Sequence, residues 1–586
     1  MEITFLGQAG LFIETRHGSI LCDPWFNPAY FASWFPFPSN EDVDLEKISR
    51  PTYLYVSHLH HDHFDPQFLR DYVWKEAIVL LPDYPLNLLE RALRDIGFTK
   101  FIYTKNAEAV EVDGLRFMIM AMVAPIDGPI GDSGLMVDDG EVRIFNQNDS
   151  RPMDIDVLNS FGPYDAHFLQ FSGAIWYPMV YQFPEKMMQA LGRKKRENEM
   201  ARALRYIREL NASFVIPSAG PPCFLDDHLF SFNDFDRDPT NTFPDQTVFL
   251  EYLQENGLDN GRLMIPGTVA TLSKQACDVI HPLPEEQVKA IFSEKRTYLE
   301  AYKARKQPLI DTLKASWPRG QVDILSSLHD WFEPLLEQAD LTSVGVNGRV
   351  LIDCDVQQIV LDFHSRRVYA WDGEEWDYRF HIDRALLEYC IVHHEEDWIN
   401  QIFLSCRFEA QRKGAYNEYI YNFFKCLSPE RLQYAEGYYA EKTAVHQLWE
   451  SNGYRIQRRC PHLKADLTRF ARIENGVLTC TMHGWQFELA TGRCLTSEGH
   501  PLYSQPIVHE EQASDDAVAA APPGEDEAPP GEDSAALASG IATNGHVEVM
   551  EQQPVNGHVH SIRTKCSHCW YNPKDLRKSS KTGPSQ

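Results

Sequence analysis

The chain concentrates coordinating side chains in a few short stretches, and their spacing indicates what they could hold. Ser57–Asp65 reads SHLHHDHFD, placing His58, His60, Asp62 and His63 in an H-x-H-x-D-H pattern directly after the apolar run TYLYV. A loop leaving a strand end can turn imidazoles at i and i+2 toward one cation, and the carboxylate and next imidazole toward a second. Four imidazoles (His58, His60, His61, His63) within six residues are a poor packing choice, because each buried ring needs its own polar partner. Asp149, in FNQNDS at the end of a strand expected over 142–145, adds a carboxylate. His58, His60 and Asp149 are the expected catalytic ligands, with Asp62 and His63 as further members of the metal set. Far downstream, Cys460-x-His462 and Cys480-x-x-His483 are separated by 17 residues. Two thiolates on one iron and two imidazoles on the other form a mixed-ligand 2Fe–2S centre; the same four residues would also suit zinc. Cys566-Ser-His-Cys569, with His558 and His560 upstream, is a lone C-x-x-C without a second half-site. It reads first as an unstructured tail and second as a zinc site.

The elements that must position these groups alternate between two periods. Met1–Thr15 alternates around Gly7 and Gly10 as strand–turn–strand, and Ser19–Cys22 leads into Asp23-Pro24-Trp25. Thr52–Val56, Ile78–Leu81, Arg116–Met122 and Ser213–Pro217 read as strands, and residues 184–210 as a charged helix. Strands interleaved with helices imply an α/β arrangement. Residues 284–316 read as polar helix. Val350–Asp353, Ile359–Asp362 and Arg367–Trp371 read as a small antiparallel sheet, followed by helices over Ile382–His393 and Glu436–Trp449. Residues 453–508 are short strands with turns at Glu474-Asn475-Gly476 and Thr491-Gly492. From about 509 the chain turns acidic and repeats APPGED, a composition that cannot offset the entropy of ordering; a basic tail ends it.

The 586 residues carry 55 Lys+Arg against 84 Asp+Glu, a net charge of −29, which argues against a grip on nucleic acid or an anionic membrane. Twelve Cys are too sparse for a disulfide scaffold and suit a reducing compartment. The start has no basic n-region or unbroken apolar core, and no run of about 18 apolar residues occurs anywhere. A soluble, cytoplasmic protein is the expectation.

The H-x-H-x-D-H loop, the opening ITFLGQAGLFIE and the LCDPW strand end carrying Asp23 resemble the metallo-β-lactamase superfamily. Its hydrolases add two later His ligands. Here MAMVAPIDGPIGDSG has no His, and VIPSAGPPCFLDD has Ser218 and Ala219 where a His would stand. A single metal held by two or three His and one carboxylate is expected, the ligand count of an oxygen-activating non-haem Fe(II) site with open positions. The loops CPHLKA and CTMHGW, followed by QFELATGRC, resemble Rieske domains of oxygenases and ferredoxins, and neither carries the extra Cys of high-potential relatives.

A one-electron cluster beside an iron site that activates O2 makes a hydroxylating monooxygenase. The pairing resembles CMP-N-acetylneuraminic acid hydroxylases and, with the metal domain first, the bacterial UDP-N-acetylmuramic acid (UDP-MurNAc) hydroxylase family. QFSGAIWYPMVY (170–181), VIPSAGPPCFLD (215–226), WINQIFLSCRF (398–408) and residues 416–426 carry the second likeness, over roughly 1–508. It implies a multidomain protein. An αββα metallo-β-lactamase-like sandwich spans 1–285 and a middle α+β domain 286–435. An all-β Rieske domain follows at 436–508, then a disordered linker and tail at 509–586. It implies hydroxylation of the N-acetyl methyl of UDP-MurNAc, a peptidoglycan precursor, to the N-glycolyl form. O2, a mononuclear iron and the Rieske cluster take part, with electrons from NAD(P)H through a separate reductase or ferredoxin. A CMP-N-acetylneuraminate hydroxylase, a metal-dependent hydrolase with a redox-regulatory Rieske domain, and a non-catalytic redox protein stay open as alternatives. Arg151, Trp176, Tyr177 and Tyr181 are the expected substrate contacts, although the three aromatics read equally as core residues and Arg151 equally as a surface ion pair; Asn146 and Asn148 are expected to orient ligands. The run Arg193–Arg196 reads as a solvated helix face or a grip on a diphosphate.

Overall fold

The opening alternation folds into a hairpin, Glu2–Gly7 paired antiparallel with Gly10–Thr15, which seeds the first of two large sheets. The computed structural model describes residues 1–507 apart from 125–127, 174, 236–240, 441–447, 462–464, 483 and 498–499. His462, His483, the acidic linker and the tail with Cys566 and Cys569 thus lie outside the described residues. Among the described residues no helix is long and apolar enough to cross a membrane.

The first sheet runs in the order Cys277–Ile280, Val269–Leu272, Glu2–Gly7, Gly10–Thr15, Gly18–Cys22, Tyr53–Tyr55, Ile78–Leu81 and Phe101–Tyr103. The second runs Phe214–Ser218, Ala166–Gln170, Arg143–Asn148, Asp132–Asp138, Leu115–Met122 and Ala109–Val112. Phe5, Ile13, Tyr55, Ile119, Ile144 and Phe168 meet between them. Pro66–Asp71 and Leu88–Ile96 cover the outer face of the first sheet through Phe68, Leu69, Leu89 and Leu93. Ile155–Phe161, Glu185–Leu210 and Gln246–Glu255 supply the apolar residues over the second. This is an αββα sandwich of the metallo-β-lactamase type. The parallel strands YLY and IVLL are apolar without alternation because both of their faces are covered.

The middle layer is a five-stranded sheet ordered Arg367–Ala370, Gln358–Asp362, Arg349–Asp353, Tyr378–Ile382 and Phe408–Arg412. Helices Ile324–Gln338, Arg384–Val392 and Glu418–Lys425 pack on it. The two helices expected to open this domain, Glu285–Ser293 and Lys295–Ala315, instead pack Val288, Ile291, Leu299, Tyr302 and Ile310 against Phe35, Phe37, Cys223 and Leu225 of the sandwich. Arg407 fastens the middle layer to the sandwich. It donates to the carbonyls of Phe31 and Ala32, both at 3.1 Å, and to Asp226 at 2.9 Å.

Two expected helices are corrected. Ile382 ends a strand, and Asp383 caps a helix that begins at Arg384 by accepting from the amides of Ala385 and Leu386. Of the helix expected over Glu436–Trp449, the part up to Ala440 belongs to a helix Pro429–Ala440, and Leu448–Ser451 is instead a strand paired with Tyr454–Gln457. Asn452-Gly453, both at positive φ, forms the two-residue turn that an Asn-Gly pair favours. The C-terminal part is two three-stranded sheets, one of them turning at Asn475-Gly476.

One buried group makes the sandwich acid-sensitive. His167, in the Ala166–Gln170 strand, is wholly buried and stacks on Phe145; its Nε2–H donates to Gln147 at 2.8 Å, and Nδ1 has no partner. Burial pushes its pKa down to about 3. The folded chain thus refuses a proton that the unfolded chain takes up below about pH 6.5. Between pH 6 and 4 the wild-type protein is expected to lose about 1.4 kcal/mol more stability per pH unit than His167→Gln. Urea unfolding of both at several pH values tests this, and parallel losses would refute it.

Candidate functional site

Parallel strands end at one edge of the sandwich, and the coordinating residues leave from those ends, the usual place for a site in such sheets. Tyr53–Tyr55 runs into Ser57–His63, and Arg143–Asn148 runs into Asp149. Asn148 takes the turn at φ 46°, and its side-chain oxygen accepts from the amides of Asp149, at 2.6 Å, and Ser150, at 3.1 Å. His58, His60 and Asp149 each bring one ligand atom within 4.8 Å of the others, with His58 Nε2 2.6 Å from His60 Nδ1. Two imidazoles and one carboxylate form the facial set that leaves positions open on a non-haem Fe(II) ion.

The other two expected ligands stand beside this set. His63 Nε2 is 3.5 Å from both Asp62 and Asp149, while its Nδ1 lies 3.0 Å from Asp23 and 3.1 Å from the Ser57 hydroxyl. Asp62 is occupied: Tyr30 donates to one oxygen at 2.6 Å and Gln8 to the other at 2.9 Å. Asp23 accepts from the Ser57 amide at 2.7 Å and hydroxyl at 2.8 Å, which ties the strand end to the His loop. Such outer partners orient metal ligands and set their basicity.

The donor chemistry fits a cation. His60 Nε2, His63 Nε2 and Asp149 Oδ1 are buried with no hydrogen-bond partner, a costly arrangement that an ion in their midst relieves. Burial, with His60 and His63 nearby, holds His58 well below the ordinary imidazole range, and burial also lowers His60. Burial opposes a charge on His63 too, but Asp149, Asp62 and Asp23 outweigh it and push that imidazole well up. Burial would raise Asp149; His63, His58 and His60 overcome it and hold the carboxyl well below its usual range. Neutral imidazoles and an ionised carboxylate are the protonation states that ligation requires.

Ser218 ends a strand at this same edge, and the Ala219 amide donates to the Gln8 carbonyl at 2.7 Å. The position where a further His would reach the site therefore exists without that ligand. The middle layer reaches in as well: the Gln401 amide donates to His61 Nε2 at 3.0 Å, and Asn400 lies beside His60. Gln8, Tyr30, Ser57 and Gln401 were not anticipated. Gln8 had a signal, as the apex of the Gly7–Gly10 turn, where it sits at φ 54°.

The expected substrate contacts divide. Trp176 and Tyr181 are packed among Phe403, Phe408 and Tyr421 in the core joining the sandwich to the middle layer, in line with the second of their two readings, as core aromatics. Tyr177 is partly exposed beside Arg412. Arg151 is part-exposed and 3.8 Å from Glu199. Asn146 is wholly buried in its strand. In the run 193–196, Arg193 and Lys194 face solvent, whereas Lys195 pairs with Glu199 at 2.8 Å and Arg196 with Asp234 at 3.4 Å. Of the expected cluster ligands, Cys460 and Cys480 are buried in the C-terminal part, Cys480 as the last residue of the strand Val477–Cys480. The Cys460 amide donates to the Ala465 carbonyl at 2.9 Å and Gly484 to the Cys480 carbonyl at 2.8 Å, the tight turns a cluster loop needs.

Comparison with known proteins agrees with this division. Residues 433–505 match the Rieske 2Fe–2S domain family, and residues 324–441 match the Rv3818-like, SCP2-like domain. A Rieske 2Fe–2S iron–sulfur protein of Mycolicibacterium smegmatis is 48% identical over 520 residues, 86% of this chain and 100% of that protein. The Rieske protein Rv3818 of Mycobacterium tuberculosis is 48% identical over 86% of this chain and 99% of its own length. The cytidine monophosphate-N-acetylneuraminic acid hydroxylase of Xenopus laevis is 25% identical over 39% of each chain. Among solved structures, a metallo hydrolase of Ignicoccus hospitalis covers 46% of this chain and 98% of its own (16% identity, TM-score 0.33). CmlA, a diiron β-hydroxylase of Streptomyces venezuelae, covers 46% and 54% (17% identity, TM-score 0.30).

Metal content follows from the ligand set. His58→Ala and Asp149→Ala are expected to lose most of the non-cluster iron while keeping the cluster's electron paramagnetic resonance (EPR) signal. Asp23→Asn, which frees the His63 ring beside the set, should weaken metal binding less than either alanine variant. Iron counts per chain beside EPR check this, and full non-cluster iron in both alanine variants would place the metal elsewhere.

Proposed function

The chain belongs to the Rv3818-like family of Rieske 2Fe–2S iron–sulfur proteins, and on that premise we propose that it is a monooxygenase acting on a nucleotide sugar. In this reading it converts the N-acetyl methyl of UDP-MurNAc to the N-glycolyl group, using O2 and electrons from NAD(P)H through a separate reductase. One observation carries the proposal: a two-His, one-carboxylate set and a Rieske domain occur within a single unit spanning 1–507. Distant relatives that are hydroxylases support the reaction class.

An unactivated methyl C–H resists general acids and bases. His58, His60 and Asp149 would hold a mononuclear iron, which would supply oxygen activation, and Cys460, His462, Cys480 and His483 would hold a Rieske cluster, which would supply electrons singly. The chain's own residues set the conditions. Asp23 and Ser57 fix the His63 ring, and Gln8 and Tyr30 fix Asp62, so the polar groups beside the ligands keep one geometry. Arg151, two residues past Asp149 and part-exposed, would meet a phosphate or carboxylate of the substrate, which guanidinium forks suit. The middle layer closes the rim with Asn400 and Gln401.

The test is incubation with isotopically labelled O2, NAD(P)H and a reductase, offering UDP-MurNAc and CMP-N-acetylneuraminate in parallel. Label should enter UDP-MurNAc as one oxygen atom. Label entering only the sialyl nucleotide would move the assignment to that substrate, and O2-independent hydrolysis would overturn the oxygenase reading.

A further inference from the structure

We propose that the helix Glu185–Leu210 connects the cluster of this chain to the metal site of the same chain. The inference rests on the oxygenase reading and names the route by which its two centres communicate. Glu199, Arg202 and Tyr206 fall at i, i+3 and i+7 of the helix, hence on one face, and all three are buried. Arg202 Nη1 donates to the Met482 carbonyl at 2.8 Å. Met482 and Gly484 flank the cluster ligand position His483 in the chain. A Cβ at Gly484 would come within 3.2 Å of the Asn198 amide, so the loop lies directly on the helix.

From this face two routes lead to the segment that carries Asp149. Along the first, Arg202 pairs with Glu199, and Glu199 lies 3.8 Å from Arg151. Along the second, the Tyr206 hydroxyl donates to the Pro152 carbonyl at 2.7 Å and lies 3.7 Å from Met482 Sδ. Arg151 and Pro152 are the second and third residues after Asp149. Both routes thus begin at the cluster loop and end within three residues of the metal carboxylate, inside one chain. Docking alone would be served as well by apolar side chains, since a buried ion pair gains little over a hydrophobic contact. Arg202 and Tyr206 are positioning residues here: they hold the loop and the Asp149 segment in fixed relation. The step moves one electron and breaks no bond; the reduced cluster is oxidised, and the ferric ion of the same chain's metal site is reduced.

Reduced protein exposed to O2 reports on this through the recovery of oxidised-cluster absorbance. The difference between iron-loaded wild-type and His58→Ala chains gives the iron-dependent rate. Tyr206→Phe, which keeps the ring against Phe470, and Arg202→Gln should each slow that rate at least tenfold while the cluster's EPR g values stay unchanged. Should Arg202→Gln lose the cluster, Tyr206→Phe decides. Wild-type rates in Tyr206→Phe would overturn the proposal. So would turnover regained on mixing His58→Ala chains with Cys480→Ser chains, since clusters would then serve the metal of a neighbouring chain. Slowed reoxidation in the variants, with no label entering any nucleotide sugar, would sustain the connection and remove the substrate assignment.

Discussion

Three carboxylates buried around one imidazole set the terms for this protein. Asp23, Asp62 and Asp149 surround His63 where the parallel strands end, and none of them is more than slightly exposed. Negative charge taken out of water at that density needs a cation at its centre. The surrounding architecture keeps that requirement in place. The strand ends converge there because both sheets are covered by helices, and Gln8, Tyr30 and Ser57 each spend a hydrogen bond on one of the carboxylates. A solvent-filled cleft with the same residues would screen the charges and lose the geometry.

The middle layer is part of the same constraint. Arg407 reaches from it to the backbone of Phe31 and Ala32, in the segment that also holds Tyr30, the donor to Asp62. Gln401 reaches the His loop directly. A cluster of rings, with Trp176 stacked on Tyr181 and Tyr421 and edge-on to Phe403 and Phe408, fills the seam behind these contacts. The middle layer therefore braces the metal loop, which gives a physical role to a segment for which the residue pattern alone suggested none.

Much of this was legible before folding, and the limit was physical. Ile78–Leu81 is marked by an unbroken apolar run and the helix over 184–210 by a long charged stretch, local signals that survive in the chain as written. The His loop and Asp149 were legible because ligand chemistry forces rare residue types into short spacings. The partners of those ligands were harder. Gln8 and Tyr30 lie 54 and 32 residues from Asp62, and nothing local says that a strand pairing will bring them together. Trp176 and Tyr181 carried an aromatic signal that core and binding wall share; only the arrival of Phe403 and Tyr421 from far along the chain decides between the two. The strand at Leu448–Ser451 was misread although its Asn-Gly turn stood in plain view, because the helical run before it was extended past its end.

The unequal exposure of the ligands has a kinetic consequence. His58 is closed off from water, whereas His60 and Asp149 are part-exposed. An incoming ion therefore meets His60 and Asp149 from the open side and completes its ligand set at His58. Affinity ranks the first-row metals in an order that does not favour iron. A site open on one side can trade its metal with the surroundings, so its occupant follows metal supply as well as affinity.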